Sequence, residues 1–322
     1  MLISEIISVL FFAAVFAAVY SAEGYLIFGA VRDKRKGQAR RYWSKGAIVI
    51  HLLAAVGIIC LVWGFFIEPY WIEVKTVQIP TSKLKHAVVR VVQISDLHCD
   101  GKAGNEEKVV RLVNAMKPDV IVFTGDTANN LQGLKQFRNT MGRLEAGLAK
   151  VAIRGNYDIG AFGEADLFGG TGFLELDNNS IEVENDGEKF WITGVSYESQ
   201  TDIGKALKKV PKDCFSIFLY HYPDLVEDLA GQSRKGRLTA NVDLYLAGHT
   251  HGGQIALPFY GAVITLAKFG KKYESGMYKV ANIILYVNRG IGMDGGPSPR
   301  ARFLARPEIT IFEIHPQGIK PR

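Results

Sequence analysis

From Ala47 to Phe66 the chain runs for 20 residues without an Asp, Glu, Lys or Arg. A helix of that length rises about 30 Å, the thickness of a bilayer's hydrocarbon core. His51 is its only titratable side chain apart from Cys60, and Trp63, Tyr70 and Trp71 supply aromatic anchors near its exit. Upstream, Ile6 to Tyr20 is also free of charge, and the apolar character continues through Tyr25 to Val31 past the single Glu23. A cleaved signal peptide would have a basic start, which is missing, and would not be followed by a second span. Residues 1–66 therefore read as a retained transmembrane helical hairpin, multi-pass in the cytoplasmic membrane.

The formal charge of +6 invites a nucleic-acid reading until its location is examined. Seven of the bases (Arg32, Lys34, Arg35, Lys36, Arg40, Arg41, Lys45) fall in the loop 32–46 between the two runs, and from Ile67 onward 31 bases face 29 acids. The excess belongs to a loop between membrane spans, and no nucleic-acid partner is expected. Under the positive-inside rule that loop stays cytoplasmic, which puts both chain ends, and the domain that follows, on the outer side.

Past a linker at 67–86 the composition is that of a packed α/β domain, expected over 87–315 with a tail at 316–322. Val88 to Ile94 and Asp119 to Phe123 are β-branched runs that read as buried strands, separated by helical spacing over Glu106 to Met116. Lys150 to Ile153, Phe215 to Tyr220 and Val242 to Ala247 are further strands. Each ends in a polar loop: Ser95-Asp96-Leu97-His98, Gly125-Asp126, Gly155-Asn156, His221 and Gly248-His249-Thr250-His251. In layered α/β folds the carboxyl ends of the strands share one rim, where ligands bind.

In an extended segment Asp96 and His98 point the same way, as do His249 and His251. Four histidines, two aspartates and an asparagine make a donor set without thiolate, which suits Mn, Fe or Zn better than calcium. The three cysteines (Cys60, Cys99, Cys214) have no zinc-knuckle spacing, and Cys99 reads as a small buried residue, with tuning of the site as the alternative.

Asp-x-His, Gly-Asp, Gly-Asn, an isolated His and Gly-His-x-His in this order resemble the calcineurin-like metallophosphoesterase superfamily over about Val88 to Ile314. The resemblance implies a four-layer α-β-β-α sandwich and a centre of two divalent ions. One ion would lie on Asp96, His98 and His251, the other on Asn156, His221 and His249, with Asp126 as bridge. Asp126, Asn156 and His249 are expected at the catalytic centre, where a hydroxide activated by the two metals attacks phosphorus. Gly248-His249-Thr250-His251-Gly252-Gly253-Gln254, Tyr286-Val287-Asn288-Arg289-Gly290 and Arg306-Pro307-Glu308-Ile309 look like a membrane-associated bacterial branch related to UDP-2,3-diacylglucosamine hydrolases. The implied activity is that of a phosphodiesterase or pyrophosphatase, on a lipid-linked or nucleotide-sugar phosphate of the cell envelope. The alternatives are a phosphomonoesterase or protein phosphatase of the same fold, and a metal-binding scaffold.

One position departs from the family pattern. Where many members have Gly-Asn-His, this chain has Gly155-Asn156-Tyr157. A tyrosine is a poor acid at neutral pH, so either the leaving group needs little protonation, as when a pyrophosphate splits, or Tyr157 packs over the site. Of the late arginines, Arg289 is the candidate for orienting substrate phosphate. The stretch Ala256 to Phe269 reads as core packing, with lipid contact as the alternative.

Overall fold

The computed structural model describes residues 2–37, 42–197, 203–231, 241–294 and 299–318. Residues 38–41 of the basic loop, Gly295 and Gly296 of the glycine-rich loop and 319–322 of the tail lie outside the described residues. Helix α1 (Ile3–Arg35) and helix α2 (Lys45–Val62) form the N-terminal hairpin, and α2 continues through a π-helical turn at Trp63–Ile67. Ser44 caps α2 by accepting from the Ala47 N–H. The helices cross where the Tyr20 hydroxyl donates to the Ala54 carbonyl, at 3.0 Å, and Gly57 makes room for that ring, since a Cβ there would meet the hydroxyl at 2.4 Å. The outward side chains, among them Ile7, Leu10, Phe11, Leu52, Ile59 and Phe66, are exposed. An apolar surface this continuous is not stable in water. The hairpin associates the protein with a membrane.

Among the described residues the strands make two six-stranded sheets and one two-stranded ribbon. In the first, β2 (Val89–Ile94), β3 (Val120–Phe123), β4 (Ala149–Ala152) and β5 (Leu174–Glu175) run parallel, and β14 (Glu308–Pro316) joins β2 antiparallel. The second has the order β12 (Gly276–Val280), β13 (Ile283–Val287), β9 (Leu244–Ala247), β8 (Phe215–Leu219), β7 (Glu188–Gly194), β6 (Asn179–Asn185). Residues 67–86, read from sequence as a linker, contain β1 (Glu73–Thr81), which pairs in parallel with β14 as the edge of the first sheet. Its exposed alternate positions hide it from a hydrophobicity scan.

Three buried clusters separate four layers. Helices α3 (Glu106–Met116) and α4 (Leu131–Gly142) cover the first sheet through Val109, Val113, Leu134, Phe137 and Met141 against Ile94 and Phe123. Val91, Val120 and Val122 meet Ile217, Leu219 and Leu246 between the sheets. The far face of the second sheet, with Phe218 and Tyr245, is covered by α5 (Ile203–Leu207) and α6 (Val226–Leu229). In β8, Ile217 and Leu219 point into the intersheet core and Phe218 to the helices, the period-2 alternation of a strand between two apolar layers. The parallel strands β2, β3, β4, β8 and β9 put their carboxyl ends on one rim, above which the expected ligands sit.

Candidate metal centre

The loops after these strands bring all seven expected ligands together, but not by the extended geometry that Asp-x-His spacing implies. Asp96 and His98 have left-handed backbones, with φ of 50° and 42°, and so do Asp126 (62°), His249 (69°) and His251 (52°). Non-glycine residues in this region cost on the order of 1 kcal/mol or more each and persist where the surroundings dictate them. Close backbone packing supplies that constraint. A Cβ on Gly155 would stand 2.1 Å from Asp126 Oδ1, and one on Gly248 would stand 2.3 Å from Asp96 Oδ2. These glycines let the loops close on the carboxylates.

Asp96, His98 and His251 each offer a donor atom within 4.8 Å of the others, and so do Asp96, Asp126 and His221. His251 Nε2 lies 3.3 Å from Asp96 Oδ1, while His98 Nε2 and His221 Nε2 lie 3.5 and 3.2 Å from Asp126 Oδ2. Asp96 thus approaches both groups and Asp126 stands between His98 and His221. His249 completes the far side, its ring stacked on Tyr222 at 3.7 Å and centred 5.3 Å from His221.

The donor set fits metal. His98 Nδ1 faces Asn129 Oδ1 at 2.9 Å and His221 Nδ1 faces the Thr124 carbonyl at 2.7 Å, so both rings carry their proton on Nδ1 and present Nε2 as a lone pair. Those two Nε2 atoms, and Asn156 Oδ1, are buried without a hydrogen-bond partner. Three orphaned acceptors in one buried cluster are costly unless something cationic completes them. Burial disfavours the charged form of His221, yet with no cation among the ligands the Asp126 and Asp96 carboxylates outweigh it and push its pKa up to about 10, so a proton on Nε2 takes the place there that a metal ion on the same carboxylates would take when it binds the neutral ring. Burial and the neighbouring His221 pull His249 down to about 3.

Residues 89–253, which include all seven, match the family described as Calcineurin-like phosphoesterase. The chain is 35% identical over 297 residues to "Uncharacterized metallophosphoesterase YkuE" of Bacillus subtilis, covering 87% of this chain and 98% of that protein. It belongs to the calcineurin-like phosphoesterases. An "Uncharacterized metallophosphoesterase" of Aquifex aeolicus is 29% identical over 269 residues, 78% of this chain and 95% of that one. "UDP-2,3-diacylglucosamine pyrophosphatase LpxG" of Chlamydia muridarum is 24% identical over 323 residues, 81% of this chain and 94% of that one. The protein is a metal-dependent hydrolase of phosphoester or phosphoanhydride bonds.

Around this phosphoesterase centre stand residues that the motif reading left without a role. Asp158 is fully buried and accepts from the Asp126, Thr127 and Gly155 N–H groups, clamping two ligand loops. Arg302 is fully buried, donates to the Ala305 carbonyl at 2.8 Å, and lies 3.3 Å from His251 Nδ1. Burial brings its pKa down to about 9, which leaves it cationic at neutral pH.

Tyr157 packs edge-on to His98, at 5.1 Å between centroids, and its N–H donates to Asp126 Oδ1 at 3.0 Å. Burial and the nearby Asp294 and Asp126 carboxylates raise its phenol pKa, so it stays neutral. Arg289, expected to orient phosphate, is placed elsewhere. Its guanidinium pairs with Glu73 and, at 2.7 Å, with Glu308, and it does not line the cavity at the metal centre. Its partner Glu73 lies on β1, in the stretch that sequence reading took for a linker. Cys99 packs in the core beneath α3 and α4, and burial pushes its thiol pKa up.

The centre opens into a cavity of about 640 Å³ whose lining includes His98, Asp126, Asn156, Tyr157, His249 and His251. Its other wall is the hairpin. In the 256–269 stretch Ala262 and Ala267 are buried as expected, whereas Phe259 is fully exposed and Leu266 half-exposed.

Proposed function

We propose that this phosphoesterase is an envelope phosphodiesterase or pyrophosphatase that holds two divalent ions of the Mn, Fe or Zn class. Asp96, His98 and His251 hold one ion, Asn156, His221 and His249 the other, and Asp126 is shared, with Asp126, Asn156 and His249 nearest the chemistry. The observation that carries this is the set of three orphaned acceptors, His98 Nε2, His221 Nε2 and Asn156 Oδ1, inside a cluster that already holds two carboxylates. Two such ions, when bound, lower the pKa of a water and offset the charge that builds on a phosphoryl group in an in-line displacement.

The chain's own residues set the rest. Thr124 and Asn129 fix the ring tautomers, and Asp158 fixes the turn that aims Asp126. Tyr157, a neutral phenol at the cavity wall, orients a substrate oxygen rather than donating a proton to a strongly basic leaving group. That favours substrates whose leaving group is a phosphate or another weak base, in line with the pyrophosphatase named among the relatives. The substrate class we favour is a lipid-linked or nucleotide-sugar phosphate. The catalytic unit takes in β1 and so starts at Glu73, before residue 87, and the hairpin crosses the cytoplasmic membrane twice with the domain on the outer side.

The test is to strip the full-length protein of metal, reload it with Mn, Fe or Zn, and assay UDP-diacylglucosamine, a generic phosphodiester and a phosphomonoester. Activity should return with metal at about two ions per chain. Asn156→Ala should cost about 100-fold or more, because outer-shell partners alone cost about 10–100-fold. Absence of metal uptake would end the proposal, and preference for the monoester would shift it to a phosphomonoesterase.

A further inference from the structure

We propose that the hairpin is a wall of the active site as well as an anchor, and that its inner face seats an acyl chain of a membrane lipid whose phosphate lies at the metal centre. This rests on the phosphohydrolase reading above and names the substrate class of the same site. One cavity joins the ligand cluster to the middle of the hairpin: it is lined by Phe12, Val15 and Phe16 of α1 and by Leu53 and Val56 of α2. Polar groups gather at the ligand end, and the hairpin end is aliphatic and aromatic. A water-soluble phosphoester would leave that second half as wetted apolar wall. A lipid phosphate matches both halves, with its charged group at the ligands and its chain against Phe12, Phe16, Leu53 and Val56.

The hairpin is also fixed against the catalytic domain in a way that a simple tether does not require. The buried Glu5 carboxylate accepts from the Thr265 N–H and hydroxyl, both at 2.9 Å. Ser8 hydrogen-bonds Tyr260, and Phe12 packs on the same ring at 5.5 Å. At the other end the Gly64 carbonyl accepts from the N–H of Arg302, whose side chain lies beside His251. Leu266, which follows Thr265, accepts from His249 Nε2 at 3.4 Å. The loop that holds α1 therefore also touches a metal ligand, and wall and centre form one constructed site.

The outer faces of the same helices, with Ile7, Leu10 and Ile59, are bare and apolar. The chain leaves the bilayer for a surface like the one it left, so the wall adds little affinity and acts by selecting which molecules fit. Phe259, fully exposed at the tip between β10 (Ala256–Leu257) and β11 (Gly261–Ala262), extends the apolar surface beside α1.

The test places the full-length protein in phosphatidylcholine vesicles containing a phosphatidic acid with a photoreactive diazirine near the end of one acyl chain. The label is mapped by mass spectrometry, without added metal, so that the outcome does not depend on turnover. Labelling of Phe12, Phe16, Leu53 or Val56 that is lost in Val56→Trp and in Val15→Trp is the expected result. Phe16, Leu53 and Val56 are themselves about half exposed, so inner-face labelling that persists in both Trp variants is bulk lipid and overturns the proposal, as does labelling confined to Ile7, Leu10 and Ile59. With metal restored, either Trp variant should lose about tenfold or more in turnover of a long-chain lipid phosphoester relative to a soluble one, the scale on which a pocket discriminates apolar groups. Equal losses on both substrates in folded protein also overturn it. Inner-face labelling by a wild-type protein that turns over nothing would leave the acyl site standing and sink the phosphohydrolase reading instead.

Discussion

Asp158 accepts four hydrogen bonds: from the Asp126, Gly155 and Thr127 N–H groups at 2.9, 2.9 and 2.8 Å, and from the Thr127 hydroxyl at 2.7 Å. Burial and the Asp126 charge next to it push its pKa up, and these donors work against that shift. In Asp158→Ala three buried N–H groups lose their acceptor at about 1–3 kcal/mol each, and Asp126 loses the clamp on its left-handed turn. We expect a loss of about 3 kcal/mol or more in urea unfolding and metal affinity weaker by about 10–100-fold. Retention of both would show that the clamp is dispensable. Tyr157 calls for the opposite experiment. Tyr157→His should raise the ratio of activity on alkyl phosphoesters to activity on anhydrides by about 100-fold, the lower end of general-acid effects, and an unchanged ratio would leave Tyr157 a packing residue. The seven expected ligand positions, which the fold brings together, were legible in the sequence because each follows a strand and most follow a glycine or share a two-residue spacing. Asp158, Asn129 and Arg302 were not, since their roles are contacts with residues distant along the chain. Arg289 was misread for the same reason: nothing near it in sequence shows that Glu73 and Glu308 already occupy its guanidinium.

Strands β2, β3 and β8, apolar on both faces, were readable as short apolar runs and α3 from its one apolar face, whereas β1 was not, because its pairing with β14 joins segments more than 200 residues apart. The junction between α2 and the domain is likewise tertiary. Glu68 is buried, and its carboxylate accepts from Trp63 Nε1 at 2.8 Å and from the Ala305 N–H at 2.7 Å. Glu68→Ala should leave those donors unpaired at a cost of about 2 kcal/mol, confined to the junction. Amide exchange at residues 301–306 should then quicken by about thirtyfold, since 1.4 kcal/mol is about a factor of ten, while exchange in β2 and β3 stays slow. Uniform acceleration across the domain would mean instead that the junction belongs to the global fold.

At the scale of the whole molecule the length of α1 organises the arrangement. Its 33 residues rise about 50 Å, well beyond a hydrocarbon core of about 30 Å. The N-terminal turns, docked through Glu5, Ser8 and Phe12 on the 260–265 loop and bare at Ile7 and Leu10 on the opposite side, reach the membrane surface, so the domain sits at the N-terminal end of α1 and the basic residues Arg32, Lys34, Arg35 and Lys36 at the other. Asp33, the acid among these bases near the end of α1, is paired with Arg32 at 3.1 Å. Under the positive-inside orientation proposed above, the ligand cluster and its cavity would face the outer leaflet. A C-terminal alkaline phosphatase fusion, active only after export, should be active, and a green fluorescent protein fusion carried by the same export route should be dark. Replacing Arg32, Lys34, Arg35 and Lys36 with Glu should mix or invert that pattern. A bright fluorescent fusion on the unaltered chain would put the domain in the cytoplasm, and because cavity and hairpin move together, the lipid phosphate it serves would then be one presented by the inner leaflet.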